Sequence, residues 1–338
     1  MKTVVLEEPG RFQLTDSSTP AQIGPDEALV RVCRVGICGT DLHAYRGDQP
    51  FFSYPRILGH ELGVEVIRVG ENNHDISAGD RCAVEPYLNC GTCIACRRGK
   101  PNCCTTLKVL GVHQDGGMRE SIKVPIRKLH QSASLTLEQL ALVETLGIGA
   151  HAVGRAQVQA DENVLVVGAG PIGLSVVQFA GIAGAKLAVM DISPNRLEFC
   201  SRQFAVERTI LLGEQPVKQI ESVFAGELPT AVFDATGNPQ SMISAFNYTA
   251  SGGRLTLVGL VQAEITFADP EFHRRELTLL ATRNATSHDF RRIIELMEAG
   301  RIETTPWITH RASLEEMIGR FDGWLDPQTG VIKAMVKL

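Results

Sequence analysis

The sequence predicts an α/β fold in two parts: a central, doubly wound parallel sheet and a β-rich domain built largely from the first third of the chain. Three observations carry this. Beyond residue 162 short apolar strands alternate with helical stretches, the pattern of a parallel sheet covered on both faces. A glycine-rich turn closes the first of those strands. Ahead of Leu137 the chain is instead rich in Gly, Pro and short β-branched runs. At 338 residues there is length for two domains. Hydrophobic residues at 44% and charged residues at 21% suit a packed globular chain, which sets aside disorder and a small disulfide scaffold.

Taken in order, residues 28–35, 63–70 and 80–84 read as short strands between turns. Residues 137–157 are Ala/Leu-rich with few breakers and predict one or two helices. Then come a strand at 164–167, a helix at 172–183, a strand at 187–190 and a helix at 195–204. Further strands are expected at 209–212, 231–233, 255–258 and 277–281, with a helix at 239–249. A helix at 290–299 precedes a mixed tail. No solenoid repeat or low-complexity segment interrupts the pattern.

Thirty-three Lys+Arg against 38 Asp+Glu leave a net charge of -5, with no basic run. Nothing electrostatic supports binding to nucleic acid or to an anionic membrane. Aromatics at 6% make a base-stacking platform a poor reading. The 23 uncharged residues between Glu162 and Lys186 could be mistaken for a membrane span. Five glycines and Pro171 divide them, so a buried strand, a turn and a buried helix fit better. Glu7 and Glu8 come too early for a signal-peptide core, and a soluble, cytoplasmic protein is expected. Nine cysteines, an odd number with five of them crowded between Cys90 and Cys104, point to metal rather than to a disulfide framework.

The run 164–173, VLVVGAGPIG, places G-x-G-x-x-G directly after a strand, with a helix next and Asp191 standing 18 residues past the last glycine. Gly168 permits the tight turn. Gly170 lets a pyrophosphate approach the backbone, and Gly173 lets helix and strand pack closely. The helix N-terminus, at Pro171 and Ile172, offers free N–H groups to phosphate. Asp191 accepts from the adenosine ribose hydroxyls and repels a 2′-phosphate, which favours NAD over NADP; Arg196 nearby could serve a phosphate. Thr236, Gly237, Val258, Gly259 and Leu260 follow later strands at their C-terminal ends, where a dinucleotide lies in open sheets.

Cys90, Cys93 and Cys96 followed by Cys104 make C-x2-C-x2-C-x7-C. Four thiolates in one short lobe wrap a tetrahedral ion and leave no open position, so zinc there is structural. Thiolates suit an iron–sulfur cluster too, but the long last gap departs from the ferredoxin spacing. Spacing leaves Cys103 as an alternative to Cys104. A second constellation, CGTDLH at 38–43 and GHE at 59–61, lies on two expected loops, and Glu144 stands at the start of the sheet domain. One thiolate, one imidazole and one or two carboxylates would leave a position open for substrate, as catalytic zinc requires.

CGTDLH, then PRILGHE at 55–61, the four-cysteine lobe and the nucleotide fingerprint, in that order, resemble the zinc-dependent medium-chain dehydrogenase/reductase family, nearly end to end. The likeness is greatest to its sorbitol, threonine and sugar-acid dehydrogenase branch, and residues 281–286 look most like the sugar-acid members. Val64 and Thr145 depart from the family's usual Gly and Pro. The resemblance implies a GroES-like catalytic domain at 1–146 with a zinc lobe at about 86–107, a Rossmann NAD domain at 147–284, and a return of 285–338 to the catalytic domain. It implies two zinc ions per chain. Cys38, His60, Glu61 and Glu144 would serve the catalytic ion, with the two glutamates exchanging or bridged by water. Cys90, Cys93, Cys96 and Cys104 would hold the structural one.

The activity implied is reversible hydride transfer from a secondary hydroxyl of a polyol, sugar acid or related alcohol to NAD, with a small alcohol or ketone as partner and a homodimer or homotetramer as the assembly. Thr40, His43 and Glu61 form the expected catalytic set. Thr40 takes the hydroxyl proton and His43 passes it toward solvent, histidine being the side chain suited to a proton relay near neutral pH. Asp41 either supports a ligand imidazole or caps a helix. Arg283 could reach cofactor or a substrate carboxylate, or form an interface ion pair. The alternatives are a simple-alcohol dehydrogenase and, from another class, a non-catalytic nucleotide-binding regulator or redox sensor.

Overall fold

The computed structural model describes residues 1–50, 52–71 and 75–338. The chain forms two compact units. One joins Met1–Thr145 to Thr286–Leu338, and the other is Leu146–Ala285.

Leu146–Ala285 is built on six parallel strands: Asn163–Val167, Lys186–Asp191, Arg208–Leu211, Ala231–Asp234, Arg254–Leu257 and Thr278–Ala281. Across the sheet they lie in the order third, second, first, fourth, fifth, sixth. The direction of winding reverses between Asn163–Val167 and Ala231–Asp234, the place where open sheets of this kind bind ligands. Both strands are apolar runs without alternation because both of their faces are covered. Leu165, Met190, Val232 and Leu255 form one side's core with Ile220 and Phe246. Four helices, Pro171–Ile182, Pro194–Phe204, Pro216–Val223 and Pro239–Tyr248, each open on proline, whose missing N–H costs nothing in a first turn. At the base of the sheet Arg254 holds both oxygens of Glu162, at 2.8 and 2.7 Å, and Thr230 adds a bond of 2.6 Å.

The other unit is organised by the long strand Glu27–Ile37. It pairs antiparallel with Glu61–Val69, Ser121–Pro125 and the C-terminal strand Lys333–Lys337. Ile308–Ser313, Arg81–Val84 and Leu129–Gln131 complete a seven-stranded sheet. The helix Leu314–Leu325 opens on a capping box of Ser313 and Glu316. It packs Phe321 against Phe12 and Tyr45, with ring centroids 4.9 Å from each. Glu85 is buried among Lys128, His130 and Ser287; it accepts from Ser287 Oγ at 2.6 Å and pairs with Lys128, and those donors outweigh burial to hold its carboxyl below the usual value. This cluster ties the start of the returning segment to the sheet.

The expected strands and helices are present, with ends shifted by a few residues. Two expected loops are corrected. Residues 39–46 form a helix with Cys38 as its N-cap, and Glu61 opens the strand Glu61–Val69. Neither carries a strong periodic signal; a helix of eight residues is decided by its cap and by packing. The mixed tail resolves into the Leu314–Leu325 helix and the strand Lys333–Lys337. Among the described residues no helix is long and apolar enough to cross a membrane.

Candidate active site and metal centres

Local structure in the first unit brings Cys38, His60 and Glu61 together. Strand Glu27–Ile37 ends at Cys38, and the chain turns at once into the Gly39–Arg46 helix. Asp41 fixes that turn by accepting from the Cys38 N–H through Oδ2 at 2.9 Å. The neighbouring strand places Glu61 directly across from Gly36. A Cβ on Gly36 would stand 2.0 Å from Glu61 Oε2, so glycine is required there for the carboxylate to lie over the sheet.

Ligand atoms of Cys38, His60 and Glu61 all lie within 4.8 Å of one another. His60 and Glu61 are buried, as are Asp41 and Glu144 around them. The other oxygen of Asp41, Oδ1, lies 3.8 Å from His60 Nδ1, and neither atom has a hydrogen-bond partner. One oxygen of Asp41 therefore caps the helix while the other faces the imidazole. Charge is unbalanced here. A thiol and three carboxyls crowd one imidazole and one cation, Lys333. Burial disfavours an imidazolium, yet Asp41 and Cys38 draw the His60 pKa well above its usual value. Surroundings that favour the protonated form of a buried histidine are short of positive charge, and a soft thiolate with imidazole and carboxylate is a donor set that zinc fits.

Two contacts in this centre carry no sequence signal. Lys333 Nζ holds Glu61 Oε1 at 2.6 Å and Oε2 at 2.9 Å, and donates to the Ile37 carbonyl at 3.1 Å. Tyr87 donates its buried hydroxyl to Glu144 Oε1. Glu144, in the first turn of the Val143–Ala156 helix, is not among the atoms gathered within 4.8 Å. Thr40 and His43 lie on the Gly39–Arg46 helix, three residues apart. His43 is exposed, and its Nδ1 meets Asp48 Oδ1 at 2.9 Å.

The thiols of Cys90, Cys93, Cys96 and Cys104 form the second gathered set. Cys104 is buried within it and Cys103 is exposed, which separates the two residues that spacing left equivalent. Thr92 Oγ1 and the N–H groups of Thr92 and Cys93 donate to Cys90 Sγ at 3.6, 3.4 and 3.3 Å. They hold the Cys90 thiol down to about 5, as suits a metal ligand.

In the second unit, Gly168 sits at a φ of 96°, which glycine alone adopts freely. A Cβ on Gly173 would meet the Gly168 carbonyl oxygen at 1.8 Å, so the helix packs on the turn as the fingerprint requires. Asp191 accepts from Ala169 N at 2.6 Å and Ser193 N at 2.8 Å, tying the two turns at the ends of adjacent strands. Arg196 reaches over Gly170, its Nη1 3.9 Å from where a Cβ would be. Pro171 and Ile172 begin the helix. Thr236 donates to Asp234 Oδ1 at 2.7 Å beside Gly168, and Gly237 lies against Gly259. Val258, Gly259 and Leu260 follow the adjacent strand, with Leu260 exposed. Arg283 is exposed beyond the last strand.

Comparison with known proteins agrees with this architecture. Residues 24–134 match the alcohol dehydrogenase GroES-like domain, and residues 171–299 match the zinc-binding dehydrogenase family. The chain is 41% identical to L-galactonate-5-dehydrogenase of Escherichia coli K12 over 92% of its length and 91% of the relative's. It is 32% identical to L-arabinitol 4-dehydrogenase of Hypocrea jecorina, over 94% and 86%. The crystal structure of the alcohol dehydrogenase RspB from Escherichia coli CFT073 in complex with NADH superposes with a TM-score of 0.93, at 30% identity, covering 100% of this chain and 99% of that one. The chain belongs to the zinc-dependent medium-chain dehydrogenase/reductase family. Within it, the relatives place it in the branch of polyol, sugar-acid and threonine dehydrogenases.

Proposed function

We propose that the protein is an NAD-dependent dehydrogenase that oxidises, reversibly, a secondary hydroxyl of a sugar acid or polyol. The observation that carries this reading is the cation-short set Cys38, His60 and Glu61, whose imidazole and carboxylate are buried. Cys38, His60 and Glu61, with Glu144 in reserve, would hold a catalytic zinc, and Cys90, Cys93, Cys96 and Cys104 a structural one. When bound, zinc supplies Lewis-acid polarisation of the substrate oxygen and NAD accepts the hydride. The chain's own residues do the rest. Asp41 Oδ1 orients the His60 ring from 3.8 Å. Thr40 Oγ1 accepts the hydroxyl proton and gives up its own toward His43. Asp48, as an acceptor, keeps the proton of His43 on Nδ1, so Nε2 is the nitrogen that takes the next one. Gly168, Gly170 and the Pro171–Ile182 helix N-terminus receive the pyrophosphate, Arg196 reaches toward it, and Asp191 takes the ribose. Thr236, Gly237, Val258, Gly259 and Leu260 border the same bound dinucleotide, and Arg283 is reserved for a substrate carboxylate or an interface.

The sugar-acid choice rests on the 41% identity to an L-galactonate-5-dehydrogenase. The test is a panel of L-galactonate, other aldonates, uronates, polyols and threonine, each with NAD and NADP, followed by NADH absorbance. Turnover confined to simple alcohols, or none with any substrate in the zinc-loaded protein, would refute the reading. A thiolate lobe suits the reducing cytoplasm as the place of action. The exposed edge strand Thr278–Ala281, with Leu279 39% exposed, suits a homodimer or homotetramer; a monomer in equilibrium sedimentation would count against it.

A further inference from the structure

Two carboxylates in the catalytic centre could reach a cation, and each is tied to a buried donor of its own. Glu61 is held by Lys333 and Glu144 by Tyr87. We propose that Tyr87 is a positioning residue: it holds Glu144 away from the Cys38, His60 and Glu61 donors and so keeps the remaining coordination position free for the substrate. This rests on the reading of that set as a metal centre.

Two features support it. The Tyr87 side chain is 2% exposed, and its hydroxyl would lose its buried acceptor if Glu144 swung away, a cost that opposes the swing. Glu144 lies outside the 4.8 Å gathering although the charges of His60, Glu61 and Lys333 all act on it. The carboxylate is near the centre and restrained from joining it.

The tether is anchored from the far side. Tyr87 sits on the two-residue strand Tyr87–Leu88, paired with Lys108–Val109, Tyr87 opposite Val109. That ribbon is the stem of the cysteine lobe, whose Cys90 follows Leu88 by two residues and whose Cys104 precedes Lys108 by four. Phe290 packs edge-on against the ring at 6.3 Å. A glutamate in a helix's first turn has several rotamers of similar energy, and without a tether a divalent cation outbids solvent for its charge.

The experiment uses the full chain loaded with cobalt(II), whose visible spectrum reports the number and kind of ligands. Subtracting the spectrum of Cys38→Ser isolates the open site from the lobe. Tyr87→Phe should alter that difference spectrum toward one more oxygen ligand. It should also slow cobalt release from this site to a chelator by about tenfold, the effect of one added carboxylate ligand. Both changes should vanish in Tyr87→Phe/Glu144→Gln. Glu144→Gln alone should keep the wild-type spectrum, because its carboxylate is off the ion at rest, and this variant can overturn the proposal even where Tyr87→Phe does not fold. An altered spectrum in Glu144→Gln overturns the proposal. So does a Tyr87→Phe protein with unchanged spectrum and release, or a change that survives in the double variant. If Cys38→Ser loses no cobalt, the metal centre itself is refuted and the tether with it.

Discussion

Thr40 and His43 stand three residues apart on one short helix, so their side chains share a face. Cys38, the cap of the same helix, belongs to the gathered set with His60 and Glu61. Thr40→Ala removes the first proton acceptor and should lower turnover by about 10²–10⁴, the usual size of a general acid–base contribution. His43→Gln should cost less, because His43 is exposed and water can replace it, and added imidazole should restore part of the loss. Zinc content should be unchanged in both. Near-wild-type turnover of zinc-loaded Thr40→Ala would show that the proton leaves by another route. Asp191 supports a second prediction. Its carboxylate is buried against two backbone N–H groups, and on the proposed reading its remaining lone pairs would take a ribose. Asp191→Ser should raise KM for NAD and narrow the NAD/NADP ratio, since acceptor and repulsive charge are lost together. A wild-type preference for NADP, read in the same assay, would transfer the role to Arg196.

At the scale of elements, the parallel sheet is locked at its base as well as along its ladders. Glu162, just ahead of the Asn163–Val167 strand, bonds Arg254 at the start of Arg254–Leu257 and Thr230 ahead of Ala231–Asp234. Burial pushes the Glu162 carboxyl up, but bonds from Arg254, Thr230 and the Gln159 N–H outweigh it and leave the pKa below the ordinary glutamate value. The sign follows. A carboxyl lower in the folded than in the unfolded state adds stability that is complete above the unfolded value of about 4.3 and is lost as pH falls through the folded one. Glu162→Gln should therefore lower the urea midpoint at neutral pH and flatten the decline of that midpoint below about pH 5, the window set by the unfolded value. Parallel acid limbs for the two proteins would show that the bond contributes nothing to the pH dependence.

For the whole molecule, two separate donor sets predict two kinds of zinc site. Purified protein should hold about two zinc ions per chain, one readily removed by a chelator and one resistant, because an open site exchanges faster than a closed thiolate cage. Removing the first should abolish turnover with little change in thermal unfolding. Removing the second should lower the unfolding temperature, since that ion would close the Cys90–Cys104 lobe. Elemental analysis with a chelator time course reads both. Stoichiometric iron with visible charge-transfer absorption would overturn the structural zinc.

Local chemistry already contained the nucleotide turn, the cysteine lobe and the strand–helix alternation. Gly168, Gly173 and Asp191 act over a span of some twenty residues, and the four cysteines over fifteen, so spacing alone constrains them. The apolar runs of the parallel strands declare themselves because both faces are buried. The family likeness extended this to Cys38, His60, Glu61 and Glu144, which stand far apart in sequence. What only the tertiary structure decided are contacts between distant segments. Cys104 rather than Cys103 turns inward, and Asp41 caps its helix with one oxygen while the other faces His60. Lys333 meets Glu61 across 272 positions because the last strand pairs with Glu27–Ile37, and Tyr87 meets Glu144 across 57. A lysine in a strand near the end of a chain reads from sequence as a solvated residue. Strand pairing alone carries it into the core, and the carboxylate opposite it keeps it there, because a buried charge persists only beside its counter-charge.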